Sequence, residues 1–157
     1  MSQLEVEIRE ADYENEQDAR RVVELLDLYA QDPMGQHAPL GEEVREDLIE
    51  GLKQVPAFSL LAFKQDEAIG LVNCLYSFST FYARPLINIH DLMVVEAYRE
   101  RGVGEKLLEA VEERARREHC CKITLEVRQD NRAKSLYERF GFGDDETPMY
   151  FMTKKLL

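Results

Sequence analysis

The sequence has no run of about 18 apolar residues, the length a membrane-spanning helix requires, so no transmembrane helix is expected. Cysteine is scarce. Cys74, Cys120 and Cys121 make an odd number, and the last two are adjacent, which disfavours a bridge between them. No disulfide framework is expected, and a reducing cytoplasm is the default compartment. His37, His90 and His119 form no metal-ligand spacing with these cysteines, so no metal is expected and a Cys–His nucleophile is disfavoured. Positive charge is short as well. With 20 Lys and Arg against 31 Asp and Glu, the formal net charge is -11. That balance argues against general affinity for nucleic-acid backbones. It suits solubility, and equally the steering of a small cationic substrate. No internal repeat, linker or low-complexity tract interrupts the chain. Residues 1–7 alternate and are acidic, unlike a signal peptide.

What is present suits one domain over residues 1–157, with 45% apolar residues available for a core. Leu4, Val6 and Ile8 alternate with charged residues, predicting a first strand. Residues 18–30 carry Val22, Val23, Leu25, Leu26 and Leu28, predicting a helix with one apolar face. Asp32-Pro33-Met34-Gly35 breaks it, and residues 40–52 read as a second helix. Residues 58–63 and 68–77, joined by Gln65-Asp66-Glu67, predict an antiparallel hairpin. Residues 86–95 are apolar at both parities, as in a strand covered on both faces. Residues 103–118 place Val103, Leu107, Leu108, Val111 and Ala115 on one helical stripe. Residues 123–127 alternate again. Asp130 or Asn131 can cap a short helix that Gly141 stops, and residues 149–155 read as a final strand. Residues 86–127 form a βαβ unit, which makes its two strands parallel. The expected fold is α+β with a mixed sheet.

Chemistry enters at Arg99-Glu100-Arg101-Gly102-Val103-Gly104, where an apolar strand feeds a glycine-containing turn and then a helix. Glycine lets backbone N–H groups approach an anion, and the first helical turn leaves such groups unpaired. Alone, G-x-G also fits a plain turn at a helix start. The third glycine of a dinucleotide fingerprint is replaced by Leu107, and the element order is not the Rossmann alternation. No G-K-[S/T] is present to make a P-loop.

Together with this turn, Asp91-Leu92-Met93-Val94, Asn131-Arg132-Ala133-Lys134-Ser135-Leu136-Tyr137 and Phe140-Gly141-Phe142 resemble the GNAT superfamily of acetyl-CoA-dependent N-acetyltransferases. The matching patterns are D-L-x-V, R-x-x-G-x-G, N-x-x-A-x-x-L-Y and G-F, in order and on the expected elements. Residues 76–81 ahead of Ile89-His90-Asp91-Leu92 resemble the diamine (spermidine/spermine) acetyltransferases more narrowly, although His90 stands where those enzymes commonly carry a glutamate. The resemblance implies a three-layer α/β fold with about four helices. Its mostly antiparallel sheet would have about seven strands, with a bulge that splays the parallel pair.

The resemblance also assigns roles. The turn Arg99, Glu100, Arg101, Gly102, Val103, Gly104 and Glu105 would hold the pyrophosphate of acetyl-CoA, with Arg suited to bidentate phosphate contact. Leu92, Met93 and Val94 would offer backbone groups to the pantetheine arm, and Asn131 would reach it from the other side. Asn131 alternatively serves as a helix cap. Tyr137 would donate a proton or hydrogen bond to the departing thiolate. On spacing alone it is a core tyrosine. The attacking amine must lose a proton. Imidazole titrates in the right range, so His90 is the candidate acceptor, beside Asp91 and with Asn88 at the same strand parity. His90 alternatively is a satisfied histidine in a buried strand. Residues 32–39, including His37, would border the acceptor site, and Tyr29 and Tyr76 offer aromatic faces for a cation. The expected activity is direct acetyl transfer from acetyl-CoA to a primary amine, such as a polyamine or other small cationic amine. Expected alternatives are a protein lysine or N-terminal acetyltransferase, or an acyl-CoA-binding module without turnover. A homodimer is expected, without nucleic acid or membrane.

Overall fold

The computed structural model describes residues 3–144 and 147–157, so Met1 and Ser2 of the N-terminal reading lie outside it. These residues divide into two compact units, one ending at Glu126 and the other starting at Val127.

The first unit is built on a sheet in the order β1-β2-β3-β4-β5. Its strands are β1 (Glu7–Glu10), β2 (Ala57–Lys64), β3 (Glu67–Ser79), β4 (Arg84–Val94) and β5 (Ile123–Leu125). Neighbours are antiparallel through β4, and β5 is parallel to β4. The βαβ reading of the sequence therefore holds, with α3 (Val103–Arg117) as the crossover. Helices α1 (Glu16–Gln31) and α2 (Glu42–Lys53) lie within two residues or so of their predicted bounds.

One sheet face carries a core of Val22 and Leu25 from α1 with Leu61, Phe63, Leu71 and Met93, against which Ile49 and Leu52 of α2 pack. The other face receives α3. At Gly70 a Cβ would stand 3.2 Å from the side chains of both Val103 and Leu107, so the absent side chain lets helix and strand close up. The whole predicted stripe of α3 is buried. Asn15 caps α1 by accepting from the Asp18 N–H at 2.9 Å. Asp18, itself buried, accepts from both terminal nitrogens of Arg9 at 2.8 Å and from Arg21 at 3.1 Å. The two guanidinium groups also lie over the Phe63 ring, tying the start of α1 to β1 and β2.

The second unit contains α4 (Lys134–Arg139). Neither Asp130 nor Asn131 caps it as the sequence suggested: the N-cap position is Ala133, with no side-chain cap bond, and Asn131 Oδ1 accepts from the Ala133 N–H at 2.8 Å in an Asx turn just ahead of the helix.

Two expectations need correction. The sheet has five strands among the described residues, not about seven. No strand forms over residues 149–155. Met149, Tyr150, Phe151 and Met152 are exposed there. The aromatic and apolar residues there record only a propensity, whereas a strand also needs a neighbour to accept its hydrogen bonds.

Candidate active site

The irregularity that shapes the site lies in β4. Asn73 of β3 pairs with Asp91, but the next residue, Cys74, pairs with Ile89. His90 is the extra residue of a β-bulge, and it is exposed. The pairing of β4 with β5 stops at Ile89 opposite Leu125. Leu92, Met93 and Val94 continue beyond it, hydrogen-bonded to Val72, Leu71 and Gly70 of β3 on their other side. The parallel pair thus parts at the bulge, where the resemblance placed a splay that the spacing alone did not reveal.

Asp91 is half-buried, and burial pushes its carboxyl above the usual carboxylate range. A hydrogen bond from Asn73 Nδ2 at 3.1 Å and the charge of His90 act in the opposite direction. Asn88 does not open toward a pocket. Its amide donates to Thr124 Oγ1 at 3.0 Å and reinforces the β4–β5 pair.

Past β4, a short 3-10 turn (Glu96–Tyr98) leads to the glycine-containing loop. Two left-handed residues shape that loop, Glu100 at φ 60° and Gly102 at φ 85°. Gly102 is the N-cap position of α3 and brings no side chain to the helix N-terminus. The Arg101 carbonyl is drawn off by the Leu4 N–H at 2.9 Å, and the Gln3 side chain lies beside Gly102. An uncapped N-terminus of a 15-residue helix, reached through a glycine, fits the diphosphate of acetyl-CoA chemically. Arg99 is placed differently from its neighbours. Its Nε donates to the Val94 carbonyl at 3.0 Å, and its Nη2 pairs with Asp32 at 2.9 Å. The side chain of Arg99 thereby joins the end of β4 to the turn after α1.

In the second unit Tyr137 is buried on α4, and its ring meets Phe142 edge-on at 6.0 Å. The Phe142 N–H donates to the Tyr137 carbonyl, folding the Gly141 turn back on the helix.

Tyr76 belongs to a structural cluster. Its hydroxyl donates to Glu118 and accepts from Arg114 Nε at 2.8 Å, and burial with Glu118 pushes the phenol up to about 12. Arg114 stacks 3.8 Å over Phe58. Cys74 is buried and its thiol is pushed up to about 12 by that burial, which keeps it protonated and unreactive. Among the described residues no cluster of three or more His, Cys, Asp or Glu is arranged for a metal, and no helix is long and apolar enough to cross a membrane.

Sequence reasoning missed Tyr13, Ser59 and Asn73, which connect to Asp91. The signal was available in the last two, each a polar residue inside a run of buried strand residues.

The model of the Acetyltransferase (GNAT) family matches residues 22–142. "Uncharacterized N-acetyltransferase YhfO" of Bacillus subtilis (strain 168) is 33% identical over 87 residues, 55% of this chain and 58% of that protein. "N-alpha-acetyltransferase 30" of Saccharomyces cerevisiae (strain ATCC 204508 / S288c) is 42% identical over 52 residues, 32% of this chain and 30% of that protein. The chain thus spans less than two thirds of either relative. A crystal structure described as a probable acetyltransferase shares the fold, with a TM-score of 0.79 at 21% identity over 97% of this chain and 99% of its own.

Proposed function

The chain belongs to the acetyltransferase (GNAT) family, and on that premise we propose that it moves an acetyl group from acetyl-CoA to a primary amine by direct attack, without a covalent enzyme intermediate. The observation that carries this reading is the bulged strand β4 followed by the glycine turn and uncapped N-terminus of α3. Backbone N–H groups at Arg101, Gly102, Val103, Gly104 and Glu105 hold the diphosphate, with Arg101 and Glu100 on the turn. Leu92, Met93 and Val94 supply main-chain partners to the pantetheine arm, and Asn131 a side-chain one. Acetyl-CoA supplies the activated acyl group.

His90 and Tyr137 divide the proton traffic in this proposal. Alkylamines are mostly protonated near neutral pH and cannot attack until they lose that proton. His90, exposed on the bulge beside Asp91, accepts it directly or through water. Tyr137 donates to the leaving thiolate.

The acceptor we propose is a small cationic amine, a polyamine among the candidates, in keeping with the net charge of -11. A second acceptor, the α-amino group of a protein N-terminus, is favoured by the 42% match to a yeast N-alpha-acetyltransferase. We also propose a homodimer. Phe78, Phe81 and Tyr82 at the end of the β3–β4 hairpin are exposed, as aromatic contact surfaces are. Light scattering at the monomer mass would refute it.

Calorimetry with acetyl-CoA, followed by thiol release across diamines, amino acids, aminoglycosides and short peptides with free N-termini, tests the whole reading. Saturable binding and thiol release with one amine class are expected. Binding without release on any amine would convert the protein to an acyl-CoA sensor, and no binding at millimolar acetyl-CoA would end the proposal.

A further inference from the structure

One polar row crosses the sheet beneath α1. Ser59 pairs with Asn73 across β2 and β3, and Asn73 pairs with Asp91 across β3 and β4. Cross-strand partners share a face, so the three side chains stand in line. They are bonded in series. Tyr13 Oη lies 2.7 Å from Ser59 Oγ, Ser59 donates to Asn73 Oδ1 at 2.6 Å, and Asn73 Nδ2 donates to Asp91 Oδ2 at 3.1 Å. Ser59 is fully buried and Asn73 nearly so. The row is the last paired rung before the bulge.

The donors run in one direction. Ser59 has one proton and gives it to Asn73, so the bond between Tyr13 and Ser59 must be donated by Tyr13. Asn73 then turns its oxygen to Ser59 and its NH2 to Asp91, which can only accept. Every member is satisfied when Asp91 is a carboxylate. Protonating Asp91 on Oδ2 would set its O–H against the Asn73 NH2, so the row confines the proton to Oδ1 unless the amide turns over. That turn would in its place put NH2 against the Ser59 proton and reverse the whole row. An apolar rung would fill the same space without any of these constraints, because replacing bonded polar partners by apolar groups is close to neutral for stability. The row therefore has a use at its open end.

We infer that Tyr13, Ser59 and Asn73 are positioning residues that hold the Asp91 carboxylate in one orientation beside the bulge at His90. The inference rests on the acetyltransfer reading above for its purpose, but not for its mechanics. The row does two things. It anchors the register so that His90 is the residue extruded, since a slip of β4 by one position would take Asp91 off Asn73. It also presents an acceptor-only oxygen pair next to the group that takes the amine proton. Other ionisable groups act on the row's ends. The charge of His90 on β4 acts on Asp91, and Cys74 on β3 feels the charge of Asp91. Glu10 of β1, Cys74 and Arg114 of α3 act on Tyr13.

The test is a carboxyl-carbon NMR titration of Asp91 in the intact protein, comparing wild type with Ser59→Ala and Tyr13→Phe. Ser59→Ala removes the donor that holds the Asn73 oxygen, so the amide can turn that oxygen to Asp91, whereas Tyr13→Phe only frees the Ser59 hydroxyl to reorient and accept from a turned amide. The midpoint should rise by about one pH unit in Ser59→Ala and by less in the more remote Tyr13→Phe. The acid limb of kcat/KM for the responding amine should move upward by the same amount. Midpoints unmoved in both variants would overturn the inference, whether or not the protein turns over any amine. Midpoints that move while the rate profile stays put would overturn the positioning role and leave the acetyltransfer reading intact. Absence of turnover in wild type would count against that reading alone, because the titration decides the row by itself.

Discussion

Arg99 and Asp32 meet in a part-buried ion pair at 2.9 Å, although one precedes the glycine turn and the other follows α1. Asp32 also accepts from the Met34 N–H at 2.9 Å, and Arg99 from its other side holds the Val94 carbonyl. The turn that borders the proposed acceptor site is thereby bound to the strand end that leads into the proposed cofactor loop. Arg99→Ala should destabilise the protein by about 1.5–3 kcal/mol, the range for hydrogen bonds to charged groups. A double-mutant cycle with Asp32→Asn in urea melts should return a coupling of at least ~0.5 kcal/mol. Simple additivity would show that the pair does not act as a link.

Tyr137→Phe keeps the ring against Phe142 and removes only the hydroxyl. Turnover should fall at least about tenfold, with acetyl-CoA affinity unchanged, if the phenol serves the leaving thiolate. Steady-state kinetics beside calorimetry separates the two quantities. Full turnover in the variant would remove Tyr137 from the chemistry.

Gly102→Ala asks an L-residue to adopt φ 85°, and its Cβ would stand 3.1 Å from the Gln3 side chain. The conformation costs about 1–2 kcal/mol, while the flexible Gln3 side chain can move aside. The thermal midpoint should drop modestly, and acetyl-CoA affinity should drop by more than tenfold. Affinity equal to wild type would place the diphosphate elsewhere.

Asp18 links stability to acid pH. Its hydrogen bonds with Arg9, joined by Asp12 N–H and Arg21, hold the carboxyl well below the ordinary carboxylate range. A depressed folded-state value means that the unfolded chain binds the proton first. The stabilisation is thus complete above the unfolded value near pH 4 and is lost as pH falls toward the folded one. Asp18→Asn should lower stability by about 3 kcal/mol at pH 7. Its unfolding free energy should also fall less steeply than wild type between about pH 4 and pH 2. Parallel curves for the two proteins would contradict this.

Cys74 should resist alkylation by iodoacetamide at pH 8 in the native state and react once urea exposes it, because the buried thiol stays protonated. Mass spectrometry of the digested protein reads this directly. Rapid native labelling at Cys74 would reopen thiol chemistry in the sheet.

The parts legible in the sequence are those whose partners lie nearby along the chain. The stripe from Val103 to Ala115 was readable because a helix brings residues three and four apart onto one face, and all five are buried. The parallel pairing of β4 with β5 followed from an intervening helix too long for a hairpin. The glycine turn and the motif around Tyr137 were likewise contiguous. Residues 149–155 misled for the opposite reason, since their composition specifies a preference while pairing depends on a neighbour elsewhere.

Alone, the sequence determined the bounds of the three long helices to within about two residues, which strands flank the crossover, the family's motifs and the excess of negative charge. Local backbone geometry and short-range periodicity set all of these. Only the tertiary structure decided that His90 is extruded from β4, that Arg99 reaches back to Asp32, and that Tyr13, Ser59, Asn73 and Asp91 stand in one row. The bulge and the row depend on strand register and the Arg99–Asp32 pair on how loops meet, and all are settled by hydrogen bonding between segments that the chain itself keeps far apart.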